Sequence, residues 1–260
     1  MQIKRIALGG IIMTVIMFSG CSTTVHNLAI VEEKTLETGK TEQESVTEKD
    51  INMNEKESFN ADSNINDVIH DSAFDNYGRL IFPVDMEIED NLKLKDVSSI
   101  LPWYSEVNND KTVEIVNYMK NQAMNGEQIF YPIYSEEEMQ ADADKKDTGL
   151  FFFRGNAGAK TTIINAGGDF VYVAGIHDSF PHALELSKKG YNAFALIYRS
   201  GAQTACEDLA RAIAFFHENA EKLQIDMTDY SLWGGSAGAR MAAWLGSYGT
   251  AYFGEKEYPA

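Results

Sequence analysis

The chain has 260 residues, enough for one or two domains of roughly 150 residues each. Hydrophobic residues make up 44%, with 14 Phe, 12 Tyr and 3 Trp, which excludes disorder throughout; 2 cysteines exclude a disulfide scaffold and a cysteine-rich zinc module. With 22 basic against 39 acidic side chains, a net charge of −17, the chain lacks the surplus cations that nucleic-acid phosphates require.

The first segment reads as an address. Lys4 and Arg5 precede an apolar run over residues 6–18. As a helix that run reaches roughly 20 Å, short of a hydrocarbon core of about 30 Å, so it suits a secretory signal better than a membrane span. Phe18-Ser19-Gly20-Cys21 then resembles the lipobox of bacterial lipoproteins, although Phe18 stands where Leu is usual. That resemblance implies a signal peptide over residues 1–21 and a diacylglyceryl group on the Cys21 thiol. It also implies an extracytoplasmic location, with the membrane as a partner. Two acyl chains hold a protein stably on a bilayer, whereas one does not.

Residues 22–75 carry thirteen acidic and four basic side chains, with Phe59 and Phe74 as their aromatics. Such a segment buries too little apolar surface to offset its ordering entropy and reads as a disordered acidic linker, with His26 and His70 as solvated bystanders. Residues 76–149 form a leader. Within it, strands are expected over residues 79–84 and 128–134, an amphipathic helix over 111–124, and a charged helix or loop over 136–146. Asp142, Asp144 and Asp147 lack the central glycine and terminal Glu of a calcium loop, so they read as a solvated acidic face rather than a metal site.

Residues 150–260 are more regular. Short apolar strands are expected over residues 150–154 and 161–165, around a Gly155-Asn156-Ala157-Gly158 turn. A helix over residues 180–189 has Pro181 in its first turn and Gly190 as its stop. A strand follows over 191–198. The spacing Thr204-x-x-Glu207 predicts a capping box opening the next helix, whose stripe is Cys206, Leu209, Ile213, Phe216, Ala220 and Leu223. His217 borders that stripe. A strand over 230–233 runs straight into Gly234-Gly235-Ser236-Ala237-Gly238 and a small-residue helix. This alternation implies an α/β fold with a mostly parallel sheet and helices on both faces.

Gly-x-Ser-x-Gly between a strand and a helix is the setting of a nucleophile elbow, with Ser236 on a strained turn and the Ala237 amide at a helix N-terminus. A second amide for a developing oxyanion is expected after the strand over 161–165, where Gly167-Gly168-Asp169 lets backbone approach a carbonyl; Gly168 and Asp169 are the candidates.

With these residues in place, the region over 150–260 resembles the α/β-hydrolase superfamily. Gly190-Tyr191-Asn192-Ala193-Phe194 through Tyr198-Arg199, and Asp208-Leu209-Ala210-Arg211-Ala212-Ile213, resemble its esterase/lipase branch, which includes carbohydrate esterases. The resemblance implies a serine acyl-ester hydrolase working through an acyl-enzyme, without cofactor or metal, on small-molecule or glycan esters. A serine peptidase of the same superfamily and a non-catalytic surface lipoprotein with a hydrolase half-fold are the alternatives. Asp169 stands where the family usually has a third glycine.

Family members place an acid and a histidine after the serine. Here the five histidines, at 26, 70, 177, 182 and 217, all precede Ser236, and the residues after it include Glu255 and Glu257 but neither Asp nor His. His177, with Asp178 beside it, is expected near the site mouth as a substrate contact; His182 is expected on a helix surface. The expectation is an inactive N-terminal portion of a longer hydrolase.

Overall fold

The computed structural model describes residues 58–104 and 107–258. The signal, Cys21, His26 and the linker as far as residue 57 lie outside the described residues. Residues 58–75, expected to be disordered, are part of the fold. Helix α1 (Ile65–Ile69) is capped by the Asn64 side chain, and Ile65, Val68 and Phe74 are buried. The Asn117 side chain exchanges two 2.8 Å hydrogen bonds with the backbone of Phe59, and Asp71 pairs with Lys120 at 2.8 Å. A polar composition thus still folds where tertiary partners take up its backbone groups and its few apolar side chains.

The leader departs from expectation at residues 79–84. Gly78–Ile81 is a 3-10 turn, and Arg79 wraps its guanidinium onto the carbonyls of Pro83 at 3.0 Å and Met86 at 2.6 Å. Pro83 cannot donate to a ladder, and only Val84 makes an isolated bridge, to Val173. Helix α2 (Asn109–Met124) forms where expected, capped by Asn108, with Ile115, Val116 and Met119 buried. The charged segment divides into α3 (Glu136–Ala141), which has a capping box between Ser135 and Glu138, and a 3-10 turn, Ala143–Asp147.

Five strands form one sheet in the order β1-β2-β4-β3-β5. They are β1 (Phe130–Pro132), β2 (Gly149–Phe153), β3 (Lys160–Asn165), β4 (Asn192–Ile197) and β5 (Asp226–Gly234). The sheet is mixed: β1–β2 and β2–β4 pair antiparallel, β4–β3 and β3–β5 parallel. Although consecutive in sequence, β2 and β3 are separated by β4, because the β3–β4 crossover through α4 (Ser179–Lys188) brings β4 back between them. β2 and β4 are buried along their whole length, as their unbroken apolar runs require, whereas β5 is the outer strand among the described residues and is half exposed. These pairings and helices make an α/β fold of the kind that the resemblance to the α/β-hydrolase superfamily implies.

Two further helices complete the described core. Helix α5 (Ala202–Leu223) starts before Thr204, so the expected capping box is not formed. Gly201 takes a φ of 101° and donates its N–H to Phe170 O at 2.8 Å, which sets the entry two residues earlier. Helix α6 (Ser236–Tyr248) packs on β5 and β3 and against α5, while α2 packs on α4.

One buried polar knot ties the leader to this core. Asp208, inside α5 and fully buried, accepts from Tyr134 Oη at 2.5 Å and from Arg199 Nη2 at 2.6 Å and its backbone N at 2.7 Å. Burial pushes the Asp208 carboxyl up against these bonds; burial alone would lower Arg199, and its bonds to Asp208 raise it above its ordinary value. Arg199 also reaches Asp142 at 2.9 Å, so Asp142 serves the ion pair rather than a free acidic face. Removing one partner of such a pair strands the other. Asp208→Ala is expected to lower unfolding free energy by about 3 kcal/mol in urea titrations, and a loss under about 1 kcal/mol would contradict that account.

Candidate active site

The parallel register sets Asn165, the last residue of β3, beside Gly234, the last of β5. Both strands therefore deliver their following loops to the same end of the sheet. Asn165 locks the junction, its Nδ2 donating to Trp233 O at 2.8 Å and its carbonyl accepting from Gly235 N at 3.3 Å.

The glycines of the elbow answer to contacts with backbone. A Cβ on Gly238 would stand 1.9 Å from Asn165 O, and one on Gly234 would stand 2.3 Å from the carbonyl carbon of Gly238. Ser236 itself has a φ of 49°, a left-handed conformation that L-residues seldom adopt, and it is exposed. Ala237 is buried as the second residue of α6, in the first turn where amides have no intrahelical carbonyl to meet.

The glycine loop after β3 faces this turn, since a Cβ on Gly167 would stand 3.2 Å from Ser236 Cβ. Three successive residues have positive φ: Gly168 at 145°, Asp169 at 53° and Phe170 at 61°. A Cβ on Gly168 would collide with Tyr172 O at 1.8 Å, so no other residue fits. Asp169 is exposed. Among the described residues, none accepts from the amides of Gly168 and Asp169. Ser236, Gly168 and Asp169 line one cleft of about 720 Å³.

His177 lines the cleft too, but it is buried and its Nε2 lies 3.0 Å from Val97 O. A carbonyl can only accept, so Nε2 carries the proton and Nδ1 the lone pair. Burial lowers its pKa to about 4, keeping the ring neutral. Asp178 is half buried, accepts from Gly167 N at 2.7 Å, and is raised by burial against that bond. His182 borders the cleft from the exposed side of α4. His217 stacks on Tyr258 with ring centroids 4.9 Å apart and borders the α5 stripe. Cys206 is buried in the core, and its thiol is pushed up to about 11 by burial.

Sequence reasoning missed the wall opposite Ser236. The leader supplies Trp103, Tyr104, Asn108 and Lys111 to the cleft, and Trp103 Nε1 donates to Tyr172 Oη at 2.7 Å. Tyr104 is raised above its ordinary value by burial and by the charge of Asp178. The adjacent aromatic pair after Pro102 was the available signal, and nothing in its spacing ties it to a loop more than sixty residues on.

Residues 157–257 match the BD-FAE family, so this part of the chain is similar to esterase-like α/β-hydrolase regions. No curated protein matches the sequence. Similar solved structures include an acetyl ester-xyloside bifunctional hydrolase from Caldicellulosiruptor lactoaceticus, at 24% identity and a TM-score of 0.41, covering 46% of this chain and 46% of that one. Esterase 2 from Thermogutta terrifontis, in its apo form, is 20% identical with a TM-score of 0.39, over 45% of this chain and 44% of that one. The chain spans less than half the length of either structure.

The neutral His177 makes stability depend on pH. Unfolded, the ring titrates at its ordinary 6.5, and folded at about 4. Above 6.5 neither state binds the proton and there is no effect; as pH falls from 6.5 to about 4, the unfolded chain binds it first and is favoured, by about 3 kcal/mol in all. Urea midpoints should fall over this window in the wild type and fall less in His177→Gln; parallel profiles would show that the ring titrates normally.

Proposed function

We propose, from an esterase-like α/β-hydrolase region as premise, that Ser236 is the nucleophile of a serine acyl-ester hydrolase. The observation that carries this reading is the exposed Ser236 at a φ of 49° on the turn from β5 to α6, with the glycine loop against it. In the reaction, Ser236 Oγ attacks the ester carbonyl carbon while its proton passes to a base. Negative charge gathers on the carbonyl oxygen, and the amides of Gly168 or Asp169 and of Ala237 donate to it; each such donor is worth about 10²–10³ in rate. Collapse expels the alcohol, which takes the proton, and water then releases the acid from the acyl-enzyme. The substrates are small-molecule or glycan esters.

Among the described residues, the nucleophile and amide donors of this reading stand without a base. His177 donates through Nε2 to Val97 O and leaves its Nδ1 lone pair without a partner, and among the described residues no histidine bonds to Ser236. A non-catalytic surface lipoprotein is the second reading, favoured by the same missing base. Hydrolysis of p-nitrophenyl acetate by this chain is expected to fall about 10⁴-fold or more below that of an intact triad and to be unchanged in Ser236→Ala. Brisk turnover abolished by Ser236→Ala would reveal a base within the chain.

The lipid anchor on Cys21 belongs to the same proposal. In a bacterial host the protein is expected to sediment with membranes and to take up labelled fatty acid, and Cys21→Ser to do neither. Membrane association that survives Cys21→Ser without label would refute lipidation.

A further inference from the structure

The Ala166–Gly167 peptide is gripped at both ends by side chains. Tyr198, buried on the strand side, donates its Oη to Ala166 O at 2.7 Å, and Gly167 N donates to Asp178 Oδ2 at 2.7 Å. Asp178 occupies the N-cap position of α4 yet makes no capping bond there. An N-cap carboxylate ordinarily accepts from its own helix, a bond worth about 1 kcal/mol; this one is turned onto the glycine loop instead. The same carboxylate abuts the elbow, since a Cβ on Gly235 would stand 2.7 Å from Asp178 Oδ2.

The next carbonyls are held as well. Gly167 O accepts from Ala174 N at 3.1 Å, and Gly168 O accepts from Val171 N at 2.9 Å and Tyr172 N at 3.1 Å. With its carbonyls engaged and φ positive at three residues in a row, the loop leaves the Gly168 and Asp169 amides without an acceptor among the described residues. The Gly168 N–H lies in the next peptide plane, Gly167–Gly168, which is joined to the gripped plane at the Gly167 Cα, so the gripped plane bears on that amide through the Gly167 φ and ψ.

We infer that Asp178 is a positioning residue: with Tyr198 it locks the Ala166–Gly167 peptide plane and so aims the Gly168 and Asp169 amides at the oxygen of a bound acyl group. The inference rests on the reading of those amides as oxyanion donors given above. Asp178 touches no reacting atom and acts through the loop.

Binding of a carboxylate tests this without requiring turnover. The ¹⁵N-labelled chain is titrated with butyrate while the amide resonances of Gly168, Asp169 and Ala237 are followed. Asp178→Asn keeps an acceptor for Gly167 N–H, whereas Asp178→Ala does not, and the two share the same charge. The wild type and Asp178→Asn are expected to show saturable shifts at these amides, and Asp178→Ala to bind about tenfold more weakly than Asp178→Asn. Should Asp178→Ala fail to fold, Tyr198→Phe removes the other grip and is expected to weaken binding severalfold. Equal affinity in folded Asn and Ala variants, or in Tyr198→Phe where that variant decides, overturns the positioning role while leaving the oxyanion reading intact. Absence of butyrate shifts at these amides in the wild type overturns the oxyanion reading, and the inference with it.

Discussion

The site depends on the parallel pairing of β3 with β5 in a register that ends Asn165 against Gly234. Parallel strands emerge at the same end of a sheet, so one pairing places the glycine loop and the serine turn side by side. Backbone packed this closely leaves no room for Cβ atoms. Gly238 lies against Asn165 O, Gly234 against Gly238 and Gly168 against Tyr172 O. The motif's glycines are thus consequences of the approach of two loops, and Ser236 carries the remaining strain in its own φ.

Polar side chains then hold what the packing brings together. Asn165 ties the two strand ends, Asp178 and Tyr198 grip one peptide of the loop, and Asp208 with Arg199 and Tyr134 binds the leader to the core. Asn165, Tyr198 and Tyr134 reach partners more than thirty residues away, and Asp178 and Arg199 reach partners eleven and nine residues away. Burial raises the stakes of each bond, because a polar group left unpaired away from water costs more than the bond itself contributes. His177 belongs to the same scheme, neutral and bonded to a leader carbonyl, that of Val97.

The leader is more than a preface to the region that matches the BD-FAE family. It contributes β1 to the sheet, α2 against α4, and the aromatic wall of Trp103 and Tyr104 that faces the serine turn. The shape of the cleft on that side is therefore set by residues outside the region that matches the BD-FAE family.

Strand and helix alternation from residue 149 onward, the elbow at Ser236 and the glycine loop at Gly168 were legible from the residues alone, because local patterns carry them: unbroken apolar runs, helical stripes, and glycines at a strand–helix junction. The misreadings lie where side-chain or backbone partners override the local pattern. Residues 79–84 look like a strand until Arg79 wraps onto its own carbonyls, residues 58–75 look disordered until Asn117 and Lys120 receive them, and Thr204 looks like a cap until Gly201 is anchored to Phe170. In the last two cases a distant partner overrides the local preference, and in the first a side chain four to seven residues away does so. By itself the sequence determined which residues could form the elbow, since tight turns need particular backbone freedoms that residue types reveal. Only the tertiary structure decided that β4 separates β2 from β3, that Asp178 serves the loop rather than its helix, and that the leader walls the cleft, since those choices follow from burial and hydrogen bonding between groups far apart in the chain.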